Sequence, residues 1–191
     1  MSSPVLASAP TRARTRWEID PSHSGVHFSI RHMMFANVRG EFGRVSGSVE
    51  LEGADLTRAV VRASIDAASI STREPQRDQH LRSPDFLDVA TYPTIEFVST
   101  RVVRTGEQTL EISGDLTIHG VTRDITLKVE TDGAELRDPF GNLRRGAIAT
   151  ATLNRTDFGL TWNAVLETGG VLVGEELKVT IDVQLIRAAD A

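Results

Sequence analysis

The sequence contains no cysteine. That excludes disulfides, thiolate nucleophiles and cysteine-based zinc or iron–sulfur centres together. Aromatic residues are scarce, at 5%. Nowhere does the chain offer the roughly 18–20 consecutive apolar residues of a membrane-spanning helix. It also has no basic run interleaved with aromatics, the nearest approach being Arg12, Arg14 and Arg16 and the pair Arg144–Arg145. With 21 basic against 26 acidic side chains the net charge is −5, so nucleic acid is not an expected partner. The opening segment MSSPVLASAPTRARTR lacks the basic start and apolar run of a secretory signal. Residues 1–16 therefore read as a disordered tail, and 17–188 as one domain of a cytoplasmic protein.

Catalytic signatures are missing as well. There is no G-x-S-x-G elbow and no H-x-H or H-E-x-x-H pair to hold a metal. Gly169, Gly170 and Gly174 resemble a phosphate loop, but no Lys-Ser/Thr follows them. Asn154-Arg155-Thr156 fits the glycosylation pattern, which a cytoplasmic protein would not use. His27 and His32 are an odd number of residues apart, so on a regular strand they face opposite sides. His23 follows Asp20 and Pro21 and fits a turn hydrogen-bonded to Asp20. No catalytic residue, metal or cofactor is expected.

What is present is period-two alternation. Val26, Phe28 and Ile30 alternate with polar residues, as do Ala59, Val61, Ala63 and Ile65. Leu110, Ile112, Leu116 and Ile118 share one face, Ile125, Leu127 and Val129 another. Leu177, Val179, Ile181, Val183 and Leu185 do the same near the end. Such segments have one wet and one dry side, which antiparallel sheets tolerate. Turn residues separate them at Thr105-Gly106-Glu107, His119-Gly120, Asp132-Gly133 and Asp138–Asn142, while Gly43 and Gly47 mark a bend. About eight or nine strands spaced this way predict an all-β barrel or sandwich. Residues 71–92 break the pattern and predict one or two short helices on a crossover, the second capped by Ser83 with Pro84 in its first turn. No repeat of about 20–50 residues is visible.

Five segments in order carry a resemblance: WEIDPSHSGVHFSIRHMMFANVRGEF (17–42), HLRSPDFLDVATYPTIEFVST (80–100), SGDLTIHGVTRDITL (113–127), LNRTDFGL (153–160) and VGEELKVTIDVQL (173–185). With this order and spacing the chain resembles the YceI-like family of lipocalin-like, polyisoprenoid-binding proteins. The resemblance implies an eight-stranded antiparallel β-barrel, partly closed by short helices, around an apolar cavity for an isoprenoid or other long-chain lipid. It also implies a homodimer. Many relatives carry a secretion signal, from which this sequence departs.

The residues fit such a role. An eight-stranded barrel has room for its own side chains or one slender ligand. Ala59, Ala63, Ala147, Ala149 and Ala151, with Gly47 and Gly114, would leave space if they face inward. Each buried CH₂ contributes roughly 0.8 kcal/mol, so an isoprenoid tail needs no polar motif to hold it. The expected ligand-binding residues are Phe28, Ile30, Met33, Phe42, Phe86, Leu87, Tyr92, Phe97, Leu116, Phe158 and Trp162. Arg31, Arg39 or Arg155 would meet a charged head group. The leading expectation is a protein that binds, carries or sequesters a prenyl quinone, polyprenol or polyprenyl phosphate. Its rivals are an enzyme acting on such a lipid through Asp20, His23 or His32, and a ligand-free interaction barrel in a stress response.

Overall fold

The computed structural model describes residues 14–166 and 169–189. Most of the predicted tail lies outside the described residues, and its last three residues already belong to a strand. The strands in chain order are β1 (Arg14–Ile19), β2 (Gly25–His32), β3 (Ala36–Phe42), β4 (Val45–Glu52), β5 (Val60–Asp66) and β6 (Ile70–Ser71). After the helix α1 (Pro75–Arg82) come β7 (Thr94–Arg104), β8 (Thr109–Ile118), β9 (Val121–Glu130), β10 (Leu136–Arg137), β11 (Leu143–Asn154) and β12 (Val173–Arg187).

These strands form eight staves. β1 and β2 pair successive stretches of one edge of β12, through Trp17↔Arg187 and Ile30↔Leu177. β4 and β3 continue the order beside them, through Trp17↔Val49 and Phe28↔Gly40. β5 and β6 follow, through Val49↔Val61 and Phe42↔Ile70. The order continues through β7, β8, β9 and β11, and the pairing of β11 with β12 closes the ring. The result is a closed eight-stranded antiparallel barrel in which neighbouring staves follow one another in sequence, except where β12 meets β1 and β2.

Three staves are broken, and each break has a local cause. At β1/β2 the Asp20 carboxylate accepts from the Ser22 amide at 3.0 Å, turning the chain at Pro21. At β3/β4 the break falls on Gly43–Arg44, and Gly47 beside it has a φ of 148°. At β5/β6 a 3-10 turn, Ala67–Ser69, is capped by Asp66, which accepts from the Ala68 amide at 2.8 Å. The last two breaks are joined, since the Arg44 amide donates to Ser69 Oγ at 3.2 Å. Beyond them β6 pairs only with β3, so the barrel opens at this end.

The crossover from β6 to β7 covers the opening. Glu74 caps α1 by accepting from the Gln76 and Arg77 amides, with Pro75 in the first turn, where its missing N–H costs nothing. The sequence predicted that Ser83 starts a second helix. It ends the first instead: its amide and hydroxyl both donate to the His80 carbonyl, at 3.0 and 2.8 Å. Pro84 disfavours helical geometry at the residue before it, and the Leu87 and Val89 amides fold back onto the Leu81 and Arg82 carbonyls. At the opposite end the core is anchored by Trp17, 0% exposed, with the Arg145 guanidinium 4.9 Å above its ring.

Candidate functional site

The inward rows of the eight staves do not meet across the centre. They enclose a lower cavity of about 240 Å³ within the barrel. Between the open barrel end, α1 and the residues Leu160, Trp162, Leu172 and Val173 lies an upper cavity of about 460 Å³. Phe28, Phe42, Ile95, Ile118 and Leu177 belong to both walls, so the two hollows abut along the barrel axis.

Small residues explain why the lower hollow exists. Ala59, Ala63, Ala147, Ala149 and Ala151 all line it, the first just before β5, the second on it and the other three on β11. Gly47 and Gly114, grouped with them on sequence, do not. Gly114 acts differently: a Cβ there would stand 2.4 Å from the Val98 carbonyl oxygen and 2.7 Å from the Phe97 ring. Gly40 does the same for Phe28, where a Cβ would approach Cζ to 2.4 Å. Among the described residues, the only polar side chains on the lower wall are Thr131 and Arg145, both at its far end.

The upper wall is amphipathic. Ile30, Leu81, Leu160 and Leu172 are joined by an aromatic group in which His80, Phe86 and Trp162 pack at centroid distances of 4.7–5.3 Å. Against these stand Arg31, His32, Thr72, Glu74, Arg77 and Arg155. Arg155 is buried and donates through Nε to the Gly174 carbonyl at 2.8 Å. Its Nη1 donates to the carbonyls of Leu160 and Trp162, and Nη2 to that of Val173 at 3.4 Å. Burial lowers its pKa and the Glu175 charge opposes that; a guanidinium stays protonated all the same. Among the described residues no carboxylate forms a salt bridge with it. Arg77 donates to Thr72 Oγ1 at 2.7 Å, and Arg82 to the Ile70 carbonyl at 2.6 Å, tying α1 to the end of β6. Asn163 pins the other cover segment, donating to the Val173 carbonyl at 2.7 Å and accepting from the Val173 amide at 3.0 Å.

Eight of the residues expected to bind ligand lie on these walls. Phe28 and Phe42 are on both, Phe97 and Leu116 on the lower, and Ile30, Phe86, Leu87 and Trp162 on the upper. Three do not. Met33 sits in the β2–β3 turn with a φ of 51° and faces solvent. Tyr92 packs outside the barrel on the β8–β9 turn, its ring 4.7 Å from that of His119. Phe158 is 2% exposed in a 3-10 turn, Arg155–Phe158, and belongs to the packed core rather than to a cavity wall. Arg39 also leaves the set of head-group candidates: on β3 it alternates with Val38, and Val38 takes the wall. The polar residues missed on sequence, Thr72, Glu74 and Arg77, come from α1 and its approach. Their low apolar content gives no inward row to read.

Two motifs find structural uses. Asn154 accepts from the Thr156 amide at 2.9 Å and its hydroxyl at 2.7 Å, so the Asn-Arg-Thr triplet is a turn that inserts Arg155. Gly169 and Gly170, with φ of 84° and 94°, form a tight turn. Of the acid–base candidates, Asp20 and His23 are in contact and His32 lies apart. The Asp20 carboxylate is held by His23 Nδ1 at 2.7 Å and by Arg144 Nη1 at 2.6 Å. Its amide bonds to Gln184, whereas His32 pairs with Val173. The intervening stretch of β12 is roughly 35 Å long. Among the described residues no three His, Asp or Glu side chains converge to hold a metal, and no helix is long and apolar enough to cross a membrane.

Comparison with known proteins places this arrangement among others. A family model described as a YceI-like domain matches residues 17–185. A UPF0312 protein of Pseudomonas savastanoi pv. phaseolicola is 41% identical over 158 residues, covering 82% of each chain. Among solved structures, BcnA of Burkholderia cenocepacia superimposes with a TM-score of 0.73 at 20% identity, covering 87% of this chain and 98% of that one. A polyisoprenoid binding domain from Saccharophagus degradans, implicated in plant cell wall breakdown, gives 0.63 at 15% identity, covering 90% and 98%. At those identities the two structures speak to the fold.

Proposed function

Because the chain belongs to the YceI-like domain family, we propose that it binds a polyisoprenoid lipid, with the tail in the lower cavity and the head group in the upper. The observation that carries this reading is the hollow itself: an alanine-lined interior whose wall is apolar except at its far end. A packed interaction barrel would fill that space. The polyisoprenoid-binding domain with the same fold adds support for the ligand class. Energetically a five-carbon isoprene unit transfers with a few kcal/mol at roughly 0.8 kcal/mol per CH₂. A few units reach the limit of about 18–21 kcal/mol for non-covalent binding, so tail ordering and not contact area sets the affinity.

The polar side of the upper cavity favours a head group rich in hydrogen-bond acceptors, such as a quinone or a polyprenyl phosphate. Arg31 and Arg77 stand on that wall with Arg155, and the cations there outnumber the one carboxylate, Glu74. Since the Asp20–His23 pair lies on neither cavity wall and His32 is at the other end of the barrel, the role that fits is carriage or sequestration rather than turnover. Native mass spectrometry of protein purified from its own host tests the reading. A co-purified prenyl lipid is expected; protein that arrives empty and ignores prenyl quinones in a fluorescence titration contradicts it.

A further inference from the structure

At the cavity mouth the chain exposes apolar side chains that the interior does not use. Met34 and Phe35, at the tip of the β2–β3 hairpin, are 63% and 75% exposed, and Val165 on the neighbouring loop is 85% exposed. With Met33 they are four of the eight large apolar side chains exposed among the described residues, gathered at one end of the barrel. The two loops are joined: the Met33 amide donates to the Leu172 carbonyl at 2.8 Å, and a Cβ on Gly170 would lie 3.8 Å from Met34 Cγ. Their bases, Ile30 to His32 and Leu172 to Val173, form part of the upper cavity wall. The tip therefore stands beside the opening.

Its backbone and its charges are unusual too. Met33 and Met34 both hold left-handed φ values, 51° and 67°, in a turn where Asn-Gly is the unstrained choice. Strain kept at an exposed tip, with water-facing methionines, is not explained by folding. The nine residues RHMMFANVR, 31–39, carry two arginines and a histidine and no carboxylate, in a chain of net charge −5. Arg31 places its guanidinium at the tip, donating to the Phe35 carbonyl at 3.1 Å. The carboxylate nearest in sequence on the adjoining strand, Glu175, acts on Arg155. Apolar side chains flanked by cations match the chemistry of an anionic bilayer surface, where the apolar part enters the headgroup boundary and the cations meet lipid phosphates.

We propose that the hairpin tip Met33-Met34-Phe35, with Val165, docks the barrel on anionic membranes with the cavity mouth toward the lipid. As a loading step this rests on the lipid-binding reading, since docking there lets a prenyl tail enter the barrel without crossing water. The test is co-sedimentation of the full chain with phosphatidylcholine vesicles, with and without phosphatidylglycerol. Binding is expected to the vesicles that contain phosphatidylglycerol. The double variant Met34→Ser/Phe35→Ser should bind them about tenfold or more weakly, and Arg39→Glu should weaken binding to the anionic vesicles. Neither variant touches the cavity wall, so equilibrium titration with a prenyl quinone should be unchanged in both. Wild-type protein that ignores both vesicles, or variants that bind as well as wild type, would overturn docking. So would sedimentation showing that the tip joins two copies and the double variant is monomeric. Vesicle binding lost in the variants while no form binds a prenyl quinone would leave docking standing and remove the lipid-cavity reading instead.

Discussion

Arg155 Nη1 donates to the Trp162 carbonyl at 2.9 Å, so a buried cation fixes the backbone of the indole that walls the upper cavity. The same guanidinium holds carbonyls of Leu160 and of Val173 and Gly174 at the start of β12, making it the bolt of the barrel's cover.

Replacing Arg155 with Ala leaves these carbonyls without their donor. A loss of about 2–4 kcal/mol is expected in urea denaturation at unchanged slope. Arg155→Lys supplies only one nitrogen and should recover less than half of it. A variant as stable as wild type would show that the cover is held by other contacts.

The Arg144 guanidinium bridges Asp20 and Asp138, at 2.6 and 2.7 Å, and joins the β1/β2 turn to the β10–β11 hairpin. Its hydrogen bonds hold both carboxyls well below the usual carboxylate range, Ser22 and His23 adding to the effect on Asp20. A depressed folded-state pKa stabilises fully above the ordinary aspartate value of about 4, and the benefit is lost progressively as pH falls from there. Arg144→Gln should therefore lower the denaturation midpoint at neutral pH, and the gap to wild type should narrow below about pH 4. A gap independent of pH would mean that packing and not charge is at stake.

Gly40 is needed because the Phe28 ring lies across it, and the close neighbours of a Cβ there are all side-chain atoms. Gly40→Ala should cost about 1–3 kcal/mol through overpacking. Adding Phe28→Leu should restore much of that loss, as thermal unfolding of the single and double variants would show. Additive losses would place the strain in the backbone instead.

Much of the barrel was legible because strand alternation reports the inward row directly. The rows of β8 and β12 were read residue by residue, and both line the interior. Phe28, Phe42 and Phe97 were legible for the same reason. Tyr92 was not: it sits where the crossover rejoins β7, and only the tertiary position of the His119-Gly120 turn decides which side of the sheet its ring takes. Ser83 carried a helix-start signal that Pro84 turned into a helix end. The polar half of the upper cavity was hidden because α1 carries a single large apolar side chain, Leu81, so no apolar stripe marks the side facing the ligand space. Arg155 was noted only as a possible head-group contact; nothing local says that backbone carbonyls 19 residues away are its partners.

The most direct test titrates a series of prenyl quinones of increasing tail length into wild type and into Ala149→Phe, which fills the lower cavity from its alanine-lined wall. Wild-type affinity should rise with each added isoprene unit until the barrel is full, while the variant should bind the shortest quinone normally and gain nothing from longer tails. Equal length dependence in both proteins would contradict a tail lodged inside the barrel.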